Sequence, residues 1–180
     1  VYYTVRFFTG LRTGEVDGLM WDNIDFTNRR INITQSLVKG VLGPTKTTGS
    51  TRSVQMSARI YDVLWAHKSV ADKTSLFVFS ARNGQPLNHK NVTRRVWYPL
   101  LKYLELEERN PYQTRHTAAT LWLAAGESPE WIANQLGHAN TTMLFKVYSR
   151  YVPNLVRRDG SAFESLLDEQ FDANDEEDAA

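Results

Sequence analysis

The segment from Pro111 to Tyr151 constrains the fold more than any other part of the chain. Its apolar residues follow helical spacing, and it is interrupted by Gly126, by a Ser128-Pro129 restart and by Gly137. Glycine commonly ends a helix, and Ser-Pro commonly begins one, so the pattern predicts three successive helices. These helices cover roughly residues 112–125, 129–136 and 140–151.

Short strands and further helices are predicted before this segment. The apolar stretch VYYTVRFF is typical of a buried helix that ends at Gly10. Three stretches alternate apolar and polar residues as half-buried strands do: Ile24–Phe26, Arg30–Thr34 and Thr51–Met56. Between them, Val38 to Gly43 is glycine-rich and predicts a turn. Asn88 begins a helix that Pro99 must kink or divide. The predicted fold class is α+β, mainly α-helical with a small three-stranded antiparallel sheet.

Composition limits the classes of protein that fit. A chain of 180 residues with 42% hydrophobic residues can form one domain with a substantial core. The absence of cysteine excludes disulfide bonds and thiolate metal sites. No apolar run approaches membrane-spanning length. Because the chain opens on Val1 inside an apolar stretch, we expect a fragment that lacks an N-terminal part.

The charge is distributed unevenly. Nine of the 20 acidic residues lie in residues 159–180, which hold no Lys or Arg, so residues 1–158 carry 21 basic against 11 acidic residues. This basic part suits a polyanionic partner, although a soluble basic domain is an alternative explanation. We therefore expect a folded domain over 1–158. In 159–180 we expect a helix at Ser161–Phe171, with an apolar stripe that packs in its own or a neighbouring subunit, and then a disordered acidic tail.

Two arginines are candidates for binding a phosphate. A guanidinium group is permanently charged, and its planar fork matches two phosphate oxygens. Arg115 starts the first helix of the 111–151 segment, and Arg12 follows a glycine break at another helix start. Glu15 lies one turn after Arg12 and could hold its side chain. A surface charge is the alternative for either arginine alone.

A tyrosine could act as a nucleophile beside these cations. Tyr148 is the candidate, with Tyr151 as a competitor, and a phenol needs a base or a cationic pocket to attack because its pKa is roughly 10. Lys46, in a predicted hairpin, could protonate the departing oxygen as a general acid. Packing for the tyrosines and simple solvation for the lysine are the alternatives.

Taken in order, these residues resemble the catalytic domain of the tyrosine recombinases, the phage-integrase family. The resemblance covers about residues 1–152. The motifs are TGLRTGE with Arg12, TKTTGSTRSVQM with Lys46, YQTRHT with Tyr112 and Arg115, LGHAN with His138, and VYSRY with Tyr148. Each is weak alone, but their order and spacing together are specific, and the resemblance implies that these six residues form the catalytic site.

The second motif departs from the family pattern. Its usual form is His-x-x-Arg, and Tyr112 occupies the first position. Tyrosine can donate a hydrogen bond to phosphate but is a poor base near neutral pH. His116 does not fill this position, since one residue along a helix turns the side chain by about 100° from Arg115, and we expect it to be a buried structural residue. His138 is the remaining histidine candidate.

The resemblance implies a function as well as a fold. Tyr148 would attack a DNA phosphate, leaving a 3′-phosphotyrosyl bond and a free 5′-hydroxyl, with no cofactor or metal. Family members recombine double-stranded DNA as tetramers and carry a separate N-terminal DNA-binding domain. A cytoplasmic enzyme of a bacterial or phage mobile element is therefore expected, with the isolated fragment monomeric.

Three other functions stay open on the sequence. A type IB topoisomerase uses the same chemistry to relax one duplex. A metal nuclease would need ligands from Glu15, Asp22, Asp25, His116 and His138, but no paired-ligand spacing supports it. A non-catalytic DNA-binding module would bury Tyr148 away from the arginines.

Overall fold

The computed structural model describes residues 1–45, 50–148 and 164 of the chain. The helices in this part are α1 (Tyr2–Thr9), α2 (Thr13–Asp17), α3 (Ala58–Val70), α4 (His89–Val92), α5 (Tyr98–Tyr103), α6 (Gln113–Ala124), α7 (Pro129–Leu136) and α8 (Thr141–Tyr148). The strands are β1 (Ile24–Asp25), β2 (Arg30–Ile33), β3 (Gln35–Val38), β4 (Val41–Pro44) and β5 (Arg52–Gln55). None of these helices has the length and apolar character needed to cross a bilayer.

The predicted three-stranded sheet is present, and its strands run antiparallel in the order β1-β2-β5. The register pairs Ile31 with Val54, and both side chains are fully buried. One face of the sheet therefore contributes to the core, as alternation along a strand requires.

The prediction of a turn over Val38–Gly43 was wrong, because β3 and β4 form a second antiparallel hairpin there. Only Lys39 and Gly40, both with positive φ, make the turn. The hairpin packs closely on α2: a Cβ added to Gly14 would lie 2.6 Å from the Leu37 carbonyl oxygen. These two strands were not predicted because no apolar alternation marks them in the sequence. Their contact with α2 holds them in place.

Helix α1 ends at Gly10, as predicted, with a left-handed φ of 62°. Pro99 lies in the first turn of α5, and a π-helical turn at Thr93–Trp97 joins α4 to α5 just before it. The helix that was expected to be kinked or divided at Pro99 therefore changes its hydrogen-bonding pattern there.

Two hydrophobic clusters form the core. The larger lies among α1, α2, the three-stranded sheet and α3, with Val5, Leu11 and Ile60 fully buried. The smaller joins α6, α7 and α8 through Ile132, Leu136 and others. Helix α6 also packs on α1, which brings the second motif against the first.

Several predictions fall on residues outside the described part. They are Lys46 in the predicted hairpin, Tyr151, and the helix and acidic tail expected in 159–180, of which only Glu164 is described.

Candidate active site

Arg12 lies at the N-terminus of α2 with its side chain about one third exposed. Its Nη1 donates to Glu15 Oε1 at 2.9 Å, and its backbone N–H donates to Glu15 Oε2 at 2.8 Å. Its Nη2 donates to the carbonyl oxygen of Gly137 at 3.1 Å. Glu15 therefore holds Arg12, as the sequence suggested, and aims it at the turn after α7.

Arg52 is a second partner of Glu15, and sequence reasoning missed it. Its Nη1 and Nη2 donate to the two carboxylate oxygens of Glu15, both at 2.9 Å, while its Nε donates to Gln135 O at 2.8 Å. Burial opposes ionisation of Glu15, but hydrogen bonds and charge from Arg52, with those of Arg12, lower its pKa. Arg52 lies in the TKTTGSTRSVQM motif together with Lys46. Nothing in the sequence indicated that its salt-bridge partner is Glu15.

Arg115 is buried beneath the same turn, with 1% of its surface exposed. Its Nη1 donates to Gly10 O and its Nη2 to Leu136 O, both at 2.6 Å. Burial, reinforced by the positive charge of Arg12, lowers its pKa to about 10, so the side chain stays charged at neutral pH. Arg115 and Arg12 thus donate to two consecutive carbonyl groups.

His138 follows directly after this turn. Gly137 ends α7 with a left-handed φ of 67°, and His138 leaves the helix there. Burial lowers the pKa of His138 to about 4, and the nearby charges of Arg115, Arg12 and Arg52 add to the effect. The imidazole is therefore neutral at pH 7. Its Nδ1 is buried without a hydrogen-bond partner among the described residues, which marks it as available to a ligand.

Tyr148 is withdrawn into the protein, with 3% of its surface exposed. Its hydroxyl lies 2.8 Å from His116 Nδ1, and burial raises its pKa despite the opposing charge of Arg115. On α8, Leu144 is buried together with Tyr148, whereas Met143 is exposed.

The expectation that His116 is buried was wrong. The side chain is half-buried and contacts the hydroxyl of Tyr148. Its ring also meets that of Tyr112 edge to face, with centroids 5.2 Å apart. Residues four apart on a helix share a face, so the spacing between Tyr112 and His116 could have indicated that their side chains meet.

Tyr112 is 40% exposed just before α6. Together with Arg12, it lines a cleft between α2 and the β3–β4 hairpin. Thr45, the residue before Lys46, lines the same cleft. Thr45 therefore places the start of the lysine motif in the same cleft as Arg12 and Tyr112.

Arg6 connects the two arginine motifs and was not foreseen. It is 1% exposed, and its Nη2 donates to Thr13 Oγ1 and to Pro111 O, both at 3.0 Å. One guanidinium group thus joins the residue after Arg12 to the start of the Tyr112–Arg115 motif. Only an unexplained charge in an apolar run signalled it in the sequence.

This arrangement can stabilise an anion and supply a nucleophile. The guanidinium groups of Arg12 and Arg115 and the neutral imidazole of His138 lie at the turn after α7. The phenol of Tyr148 is buried beside the imidazole of His116. In the described part of the chain, no three His, Asp or Glu side chains cluster in a way that could hold a metal ion.

The chain is similar to known proteins over most of its length. The model of the phage integrase family matches residues 2–154. The prophage integrase IntR of Escherichia coli is 28% identical over 82% of this chain and 42% of its own length. The putative defective protein IntQ of the same organism is 33% identical over 83% of this chain and 44% of its own. The chain thus spans less than half the length of these relatives.

Solved structures show the same fold. The Tn1549 transposon integrase in complex with a circular intermediate DNA matches with a TM-score of 0.69 and 25% identity, over 81% of this chain and 52% of that one. The XerA recombinase matches with a TM-score of 0.64 and 21% identity, over 92% and 55%. The catalytic domain of bacteriophage HP1 integrase matches with a TM-score of 0.54 and 18% identity, over 85% and 74%. The predicted tyrosine recombinase catalytic fold is confirmed.

Proposed function

The chain belongs to the phage integrase family, and we propose that it cleaves and rejoins DNA strands as a site-specific recombinase, integrating or excising a mobile element. The observation that carries this proposal is the meeting of Arg12 and Arg115 on the consecutive carbonyls of Gly137 and Leu136, with His138 next in the chain. Such a cluster of donors suits the charge that builds on a phosphate during strand cleavage.

The two arginines bind the non-bridging oxygens of the scissile phosphate. A guanidinium group has five N–H donors, and each arginine uses two of them in the contacts with the protein described above. Those contacts fix the orientation of the remaining donors before DNA arrives. The buried Nδ1 of His138 and the hydroxyl of Tyr112 are further hydrogen-bonding groups for the same phosphate.

Tyr148 is the nucleophile. Its oxygen attacks phosphorus, the bond to the 5′-oxygen breaks, and a 3′-phosphotyrosyl link remains. Lys46 donates the proton that the departing 5′-oxygen requires. The 5′-hydroxyl of a partner strand then reverses the reaction. Because the energy of the broken bond is kept in the covalent link, the cycle requires neither ATP nor a metal.

Double-stranded DNA is the partner in this proposal. The excess of basic residues over 1–158 suits a phosphate backbone. The Tn1549 integrase and the XerH recombinase, which share this fold, have been solved as DNA complexes. We infer that the intact enzyme acts in the cytoplasm as a tetramer on two duplexes, whereas the isolated domain is monomeric.

Strand-exchange assays test the proposal. The protein is incubated in EDTA with two duplexes that carry the junctions of its mobile element. Recombinant duplexes and covalent protein–DNA adducts are the expected products. Relaxation of a supercoiled plasmid without recombinants would indicate a topoisomerase, cleavage that needs a divalent ion would indicate a nuclease, and binding without cleavage would indicate a DNA-binding module.

A further inference from the structure

His116 contacts the hydroxyl of Tyr148, whose oxygen attacks phosphorus in the proposed reaction. Its Nδ1 lies 2.8 Å from the hydroxyl of Tyr148, which is within direct proton-transfer distance. The ring is in edge contact with Tyr112 on one side and lies 5.5 Å from the Tyr148 ring on the other. Among the residues that the structure describes, the imidazole of His116 is therefore the one group hydrogen-bonded to the reactive oxygen of the proposed nucleophile.

On α6, His116 lies where it can supply the proton acceptor that Tyr112 does not provide. Tyr112 stands in the Tyr-x-x-Arg motif at a position where it can donate a proton but cannot accept one near neutral pH. His116 lies four residues later, on the same helix face, and directly follows Arg115. Helix α6 thus carries both a phosphate-binding cation and a proton acceptor.

We propose that His116 is the general base that activates Tyr148. With the imidazole proton on Nε2, Nδ1 takes the phenol proton while the phenol oxygen forms its bond to phosphorus. The bond from phosphorus to the 5′-oxygen breaks, and that oxygen takes its proton from Lys46. In the rejoining step the imidazolium returns the proton to the departing Tyr148. This inference rests on the proposed recombinase function and adds the identity of the base.

The surroundings of His116 keep it ready to accept a proton. Burial and the charge of Arg115 lower its pKa, so the neutral form dominates at pH 7. The other ionisable groups around it are Tyr112, Tyr148 and Arg109, which lines the same pocket, together with His138. Arg109 is held by Glu107 at 2.7 Å on the surface, which weakens its effect on the imidazole.

A substrate with sulfur in place of the bridging 5′-oxygen isolates the step that His116 would assist. The thiolate leaves without a proton, so the rate of adduct formation reports activation of Tyr148 and is independent of Lys46. Single-turnover rates are measured for wild type, His116→Gln, His116→Ala and the control Thr117→Ala, which lines the same pocket without contacting the hydroxyl. Circular dichroism and thermal unfolding verify that each variant folds.

We expect both His116 variants to slow adduct formation by about 10²- to 10⁴-fold, and Thr117→Ala to leave it unchanged. The wild-type rate should rise with pH up to the lowered pKa of His116 and then level off. The His116→Gln rate should rise steadily towards the pKa of tyrosine, and added imidazole should accelerate His116→Ala. Folded His116→Gln with the wild-type rate and pH profile would overturn the assignment. Failure of wild type to form any adduct would instead contradict the recombinase function.

Discussion

Arg12 and Arg115 donate hydrogen bonds to the carbonyl oxygens of consecutive residues, Gly137 at 3.1 Å and Leu136 at 2.6 Å. The turn after α7 therefore sets the position of both guanidinium groups. Since His138 is the next residue, the same turn also sets the imidazole. One short segment thus controls three of the proposed phosphate-binding groups.

Replacing Arg115 with lysine should affect both cleavage and folding. Lysine keeps the charge, but its ammonium group lacks the planar fork with which Arg115 donates to Gly10 O and Leu136 O. We expect the rate of DNA cleavage to fall by 100-fold or more, and the free energy of unfolding to fall by about 1–3 kcal/mol. Arg12→Lys is the matched control, because that side chain is partly exposed and should lose activity with a smaller loss of stability. Wild-type cleavage by Arg115→Lys would contradict the proposed role.

Arg52→Met should destabilise the fold by roughly 3–5 kcal/mol, as measured by urea unfolding, because it leaves a buried carboxylate with one partner. Glu15 is 2% exposed and shares its oxygens between Arg52 and Arg12. Adding Glu15→Gln removes the buried charge that Arg12 alone would compensate, so the double variant should recover part of the stability. Wild-type stability of Arg52→Met would show that the ion pair is energetically unimportant.

Asp17 makes stability depend on pH. Burial raises its pKa to about 6, although a hydrogen bond from Tyr2 and the charge of Arg6 oppose the shift. Because the folded-state pKa is the higher one, the stabilising contribution is complete below about pH 4 and is lost as pH rises through 6. We expect Asp17→Asn to be more stable than wild type at pH 8, by up to roughly 3 kcal/mol, and to match it at pH 4. A constant difference across this range in thermal unfolding would contradict the explanation.

Gly10→Ala should disturb the site through packing. A Cβ there would lie 2.6 Å from Leu136 Cδ2, in the residue whose carbonyl binds Arg115, and φ is 62°. Gly126→Ala is the matched control, since its φ is 83° and nothing lies within 4 Å of the added atom. Backbone strain of about 1–2 kcal/mol should appear in both, and loss of cleavage only in Gly10→Ala. Equal cleavage rates would mean that the contact does not position Leu136.

Much of the fold could be predicted from local signals. The predicted boundaries of α7, residues 129–136, agree with the structure because a serine cap with proline marks its start and Gly137 marks its end. The β3–β4 hairpin could not be predicted, since its position depends on close contact with Gly14 and Gly18 at α2. A local pattern carries no information about a partner element elsewhere in the chain.

Some residues of the candidate site could likewise be predicted from the sequence, and others could not. The order and spacing of the motifs made Arg12, Arg115 and His138 candidates for one site, and the structure brings these three residues to one turn. Arg52 and Arg6 were missed because their partners are distant: Arg52 bonds to a carbonyl 83 residues away and Arg6 to one 105 residues away. Such residues support the site through contacts that only the folded chain creates.

The most direct test traps the protein on a nicked DNA duplex, where loss of the short cleaved strand prevents rejoining, and maps the attached residue by mass spectrometry. We expect wild-type protein and Tyr151→Phe to carry the DNA on the peptide containing Tyr148, and Tyr148→Phe to fold and bind DNA without forming an adduct. Covalent attachment in Tyr148→Phe, or attachment at Tyr151, would contradict this expectation.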